Sequence, residues 1–107
     1  MKIEVFYVAD CPSHPAAVQL VKDVLHAEGV VAHIHEVLVA DQSSARRLKF
    51  PGSPTIRVNG HDVAGPSASM EGFALSCRLY PGSAQIGLPP AELIRDAVLR
   101  AREGGRT

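Results

Sequence analysis

The chain has 107 residues, 46% of them apolar and 21% charged, with eleven basic and eleven acidic side chains and a formal charge of zero. That is the length of a single domain, residues 1–107, with one core, and the composition of a soluble globular protein rather than a disordered one. Interspersed, balanced charge and an aromatic set of three Phe, two Tyr and no Trp give neither an electrostatic nor a stacking case for nucleic acid or an anionic membrane as partner.

No stretch approaches the roughly 20 consecutive apolar residues that span a bilayer. The first residues carry one Lys and then a strand-like run, without the apolar core and small-residue cleavage site of a signal peptide, so a cytoplasmic location is expected. Two cysteines do not make a disulfide framework. In a cytoplasmic chain they are expected to be catalytic, metal-binding or simply buried.

Lys2 to Ala9 reads as a strand whose nearly continuous β-branched and aromatic content suits a central position covered on both faces. From Pro15 to Glu28, Ala17, Val18, Val21, Val24 and Leu25 recur at helical spacing, and Gly29 is placed as a stop. Val30 to Val39 is expected as a second strand. Asp41 to Phe50 reads as a short helix, with Asp41 or Ser43 as N-cap and Arg46, Arg47 and Lys49 near its C-terminal end. Thr55 to Val58 and His61 to Ala64 flank Asn59-Gly60, a strong signal for a two-residue hairpin turn. Gly65 to Pro90 is the least regular stretch, with Met70 to Leu79 as its only helix-like part. A last helix starts near Pro90, presents Leu93, Ile94, Ala97, Val98 and Ala101 on one face, and ends before Gly104-Gly105.

The expected order is therefore β-α-β-α-β-β-α. The first two strands bracket a helix and should run parallel through a right-handed crossover, and the last two form a hairpin. The result is an α/β fold with a mixed four-stranded sheet covered by helices, which is the thioredoxin-like arrangement.

Two short segments carry the chemistry. In Asp10-Cys11-Pro12-Ser13-His14, Cys11 sits where a strand hands over to a helix N-terminus, whose unpaired N–H groups and dipole favour a thiolate. Such a thiolate is both a nucleophile and a soft-metal ligand, although the same position also accommodates a small buried cysteine without reactivity. Pro12 fits a first helical turn, where its missing N–H costs nothing. His14 stands where a second cysteine would complete Cys-x-x-Cys. It would hold a proton near Cys11 or stabilise its thiolate, or else be an exposed first-turn residue without a role. The second segment is Gly52-Ser53-Pro54-Thr55. An X-Pro bond at a strand start is a candidate cis bond, and Ser53, Pro54 and Thr55 would lie against Cys11 with backbone groups available to an extended substrate.

Cys11-Pro12-Ser13-His14, the run from Phe50 to Gly60 and Ser76-Cys77-Arg78-Leu79-Tyr80 together resemble a family of small bacterial thioredoxin-like (glutaredoxin-like) proteins of largely undefined function, some labelled as related to alkylmercury lyase. The resemblance covers nearly the whole chain and is most specific at Gly-Ser-Pro-Thr. It implies the thioredoxin fold. With His14 in place of the second cysteine, Cys77 becomes the residue that would pair with Cys11, in a disulfide or a two-thiolate clamp, provided that the two Cα atoms come within about 7 Å. Arg78 and Tyr80 beside it would bind an anionic substrate or gate the site.

His33 and His35 share one strand face and are able to share a metal, but no third ligand is evident, and no zinc-site spacing is present. No metal ligand set and no cofactor are assigned. The leading expectation is a thiol-disulfide redox protein with Cys11 as nucleophile, resolved by Cys77 or an external thiol, acting on a protein or small-molecule thiol or disulfide. The alternatives are soft-metal or organomercurial binding through Cys11 and Cys77, and a non-catalytic module that binds peptide or protein partners at the sheet edge. The chain is expected as a monomer or weak homodimer.

Overall fold

The computed structural model describes residues 1–65 and 88–104. Cys77, Arg78, Tyr80 and the helix-like stretch from Met70 to Leu79 lie outside the described residues. The elements run β1 (Lys2–Tyr7), α1 (His14–Ala27), β2 (His33–Leu38), α2 (Gln42–Arg47), β3 (Thr55–Val58), β4 (His61–Asp62) and α3 (Ala91–Gly104). The class is α/β, with the expected order of elements.

The four strands form one sheet in the order β2-β1-β3-β4. β1 is central, parallel to β2 and antiparallel to β3, with Val5 beside both Glu36 and Ile56. Alternation then sorts the side chains. Ile3, Val5, Ile56 and Val58 face α1 and α3 and join Val21, Ile94 and Val98 in the larger apolar cluster. Phe6 faces the other way and packs with Val39, Ala45 and Phe50 from the α2 side. A strand buried on both faces needs apolar residues at both parities, which is why β1 reads as a continuous apolar run.

Both α1 and α2 are shorter or shifted relative to the sequence expectation because of how they terminate. At the end of α1, Gly29 takes φ +65°, and the N–H of Val30 returns to the carbonyl of Leu25 at 2.9 Å. This is a Schellman closure. It holds Val30 against the helix, so β2 begins at His33 and Val31 is left 99% exposed. α2 ends in the same way without a glycine. Lys49 adopts φ +54°, while the Phe50 N–H donates to Ala45 O at 2.8 Å, and the buried Phe50 ring packs in the same cluster as Ala45. The apolar contact between these two positions accompanies such caps and here favours the left-handed residue.

The hairpin is as expected from Asn59-Gly60, with φ +52° and +81° at the two turn residues, the signature of a type I′ turn. Asn59 also ties the turn to β1: its Oδ1 accepts from Lys2 N–H at 2.8 Å, and its own N–H donates to Lys2 O at 2.7 Å. β4 stops at Asp62, whose carboxylate accepts from Ala64 N–H at 2.9 Å. Among the described residues, no helix is long and apolar enough to cross a membrane.

Asp41 is the N-cap of α2, accepting from Ser44 N–H at 2.7 Å. The hydrogen bonds from Ser44 hold its carboxyl below the ordinary value of 3.8. A carboxylate whose pKa is lowered by folding contributes stability above its unfolded pKa and loses that contribution as the pH falls through the lowered value. Asp41→Ala should therefore lower the thermal midpoint at pH 7, with Asp41→Ser recovering most of it. The gap between wild type and Asp41→Ala should close as melts followed by circular dichroism are taken to progressively more acid pH below 3.8.

Candidate functional site

The site forms where β1 ends and β3 begins, because the antiparallel pairing sets Phe6 beside Thr55. Beyond the last pair, the Val8 N–H donates to Ser53 Oγ at 3.1 Å. This bond ties the segment leading to Cys11 to the residue before Pro54. Between Val8 and Cys11 the chain reverses: Asp10 takes φ +61° and the Cys11 N–H donates to Val8 O at 3.3 Å. The turn delivers Cys11 as a half-buried free thiol, and the His14 N–H then donates to Cys11 O at 3.3 Å. α1 follows from His14, with Ser13 as its N-cap residue. Pro12, beside the cysteine, is exposed.

The segment from Ser53 to Thr55 is fully buried. Ser53 and Thr55 are 0% exposed and Pro54 is among the fully buried side chains; the Ser53-Pro54 peptide bond is cis. Both hydroxyls are engaged inside the chain, Ser53 Oγ with Val8 and Thr55 Oγ1 as donor to Gly52 O at 2.6 Å. Polar groups at this depth need such partners. Ser53 and Thr55 thus fix this segment through internal hydrogen bonds.

His14 is held more firmly than a first-turn surface residue. Its ring stacks flat on Tyr7, with centroids 3.7 Å apart and planes 3° from parallel. Its Nε2 lies 2.6 Å from Glu36 Oε1, with the histidine side chain 20% exposed and the glutamate 46%. Three elements meet here: Tyr7 from the end of β1, Glu36 from β2 and His14 from the start of α1. Glu36 thus engages one of the two ring nitrogens, Nε2.

Tyr7 and Glu36 were not among the residues singled out in the sequence. Tyr7 sits in an apolar run and reads as core. Glu36 lies 22 positions from His14, and only the parallel register, which puts Tyr7 beside Leu38 and Val5 beside Glu36, brings it within reach. His33 and His35 point to the opposite face of β2. Among the described residues, no group of three His, Cys, Asp or Glu side chains is placed to hold a metal ion. No protein-family model, curated protein or solved structure matches the chain.

Ser53→Ala removes the acceptor of Val8 while leaving the backbone free to fold. Leaving a part-buried N–H without a partner costs about 1–3 kcal/mol. Urea unfolding should show a loss in that range with an unchanged slope, whereas Ser53→Thr should retain part of the lost stability.

Proposed function

We propose that this chain is a thioredoxin-like thiol-disulfide redox protein in which Cys11 is the nucleophile. The observation that carries the reading is the Val8–Ser53 hydrogen bond of 3.1 Å, which brings the cysteine turn and the segment around Pro54 to one end of the sheet. The mixed four-stranded sheet, in the order β2-β1-β3-β4, is compatible with that reading. The Cys11 thiol is half-buried and precedes a helix N-terminus, which leaves it accessible to a substrate sulfur.

In the proposed reaction the Cys11 thiolate attacks one sulfur of a substrate disulfide. A bond forms between Cys11 Sγ and that sulfur, the substrate S–S bond breaks, and the second substrate sulfur leaves as a thiolate. A further thiol, from Cys77 or from a small external thiol, then attacks the mixed disulfide. Attack by Cys77 on Cys11 Sγ releases the substrate thiolate and leaves an internal disulfide. Attack by an external thiol on Cys11 Sγ instead releases the substrate thiolate and leaves Cys11 joined to that thiol, and a second external thiol then attacks the joined sulfur, forming the external disulfide and restoring the Cys11 thiolate. Each cycle reduces one disulfide and oxidises two thiols. His14, with Glu36 on Nε2, holds a proton for the departing thiolate at Nδ1. Ser53, Pro54 and Thr55, which are buried, act on the substrate site by holding the segment before β3 in place, and Pro12, Arg78 and Tyr80 are the residues proposed to contact the substrate.

The test is turnover of bis(2-hydroxyethyl) disulfide with glutathione as the electron source. Cys11→Ser should abolish it, and His14→Ala should lower it by about 10² if the imidazole transfers a proton. Cys77→Ser separates the two resolving routes, since turnover that survives this change runs through the external thiol. Full activity in Cys11→Ser would overturn the proposal.

A further inference from the structure

β2 is the edge strand of the sheet, and among the described residues no strand pairs with its outer side. Its His33 and His35 are both exposed, on the face opposite α1. Their rings already meet edge to face, with centroids 4.6 Å apart. Positions two apart on a strand put the two Cα atoms about 6.7 Å apart on one face, a separation that two imidazoles bridge to a common ion. Imidazole nitrogen suits borderline divalent metals such as Zn(II) rather than Mg(II) or Ca(II).

One chain supplies only this pair. The nearest carboxylate on the same face is Glu4, beside His35 in the β1–β2 register, and it is 3.6 Å from the Lys2 ammonium. Zinc in a closed site takes four ligands, so two are still required. We infer that a second copy of this chain supplies them, pairing its own β2 antiparallel along the open edge so that His33 and His35 of both copies enclose one Zn(II).

The residue pattern selects the register. A two-fold axis normal to the sheet keeps each face on its own side, so only registers that pair residues of the same parity are allowed. Centred on Glu36, the pairing opposes two carboxylates, which is destabilising. Centred on His35, it sets His33 against Val37 and brings only two imidazoles face to face. Centred on Ile34, it opposes His33 to His35 twice on one face and Ile34 to Ile34 on the other. Cross-strand Cα atoms are then about 5 Å apart. The same register brings Val31, which precedes the strand and is 99% exposed, toward Val37 of the second copy. That exposed apolar side chain thereby gains cover. Without metal, four imidazoles crowd one patch, so the pairing depends on the ion.

The experiment is sedimentation velocity of the full chain with Zn(II), with metal content measured on the separated species. Iodoacetamide alkylation of the thiols, or Cys11→Ser/Cys77→Ser, removes thiolate binding from the readout. The inference predicts a monomer in EDTA and a dimer with one Zn(II) per two chains on addition of half an equivalent. The dimer should be lost in His33→Ala and in His35→Ala, which are exposed changes, and kept in His26→Ala/His61→Ala. A zinc-bound monomer, a dimer that persists in EDTA, or a dimer insensitive to both substitutions would overturn it.

Discussion

The pairing of β1 with β3, closed by the Val8–Ser53 hydrogen bond, is the constraint on which the rest depends. β1 is flanked on both sides, and its register sets Ile3 against Val58 and Val5 against Ile56. A slip by one residue would turn Val5 out of the larger cluster and Phe6 out of the smaller one. Both cores therefore hold this register, and the register in turn determines which residue of the β3 approach meets Val8. That residue is Ser53, whose hydroxyl is the right length to satisfy an N–H beyond the last strand pair. The cysteine turn is built directly on Val8, so the position of Cys11 is inherited from hydrophobic packing.

The second consequence concerns the residue three places after Cys11. An imidazole there, stacked on Tyr7 of β1 and hydrogen bonded to Glu36 of β2, is held by two strands while carried on α1. An imidazole has no sulfur, so this position offers no second thiol for a disulfide. Under the proposed reading, the two electrons that a second adjacent thiol would supply come from elsewhere, from Cys77 or from solution. On that reading the nucleophile stays at Cys11 and the resolving group lies elsewhere, while Glu36 engages one ring nitrogen of His14.

Much of this was legible in the sequence because the signals were local. Asn59-Gly60 specifies a turn by its tolerance of positive φ, and the limits of β3 follow from it. The apolar spacing in α1 and α3 gives their buried faces. The misplaced boundaries share a cause: a helix end is decided by which carbonyl an N–H several residues later chooses. The start of β2 moved to His33 because Val30 closes α1, and α2 stopped early because Lys49 took a left-handed conformation that is rare outside glycine. The contribution of Glu36 was not legible at all, since it arises only when two parallel strands are laid side by side. The open edge carrying His33 and His35 is of the same kind: spacing shows two ligands on a face, and topology shows that the face ends there.

The most direct measurement of the central claim is the rate at which Cys11 forms a mixed disulfide with glutathione disulfide, located by peptide mass spectrometry, in the folded chain and in the same chain unfolded in urea. The account predicts faster modification of Cys11 when folded, because in the proposed reading the cysteine turn precedes a helix N-terminus at the end of the sheet where the Pro54 segment also begins β3. Equal or slower modification in the folded chain would contradict it.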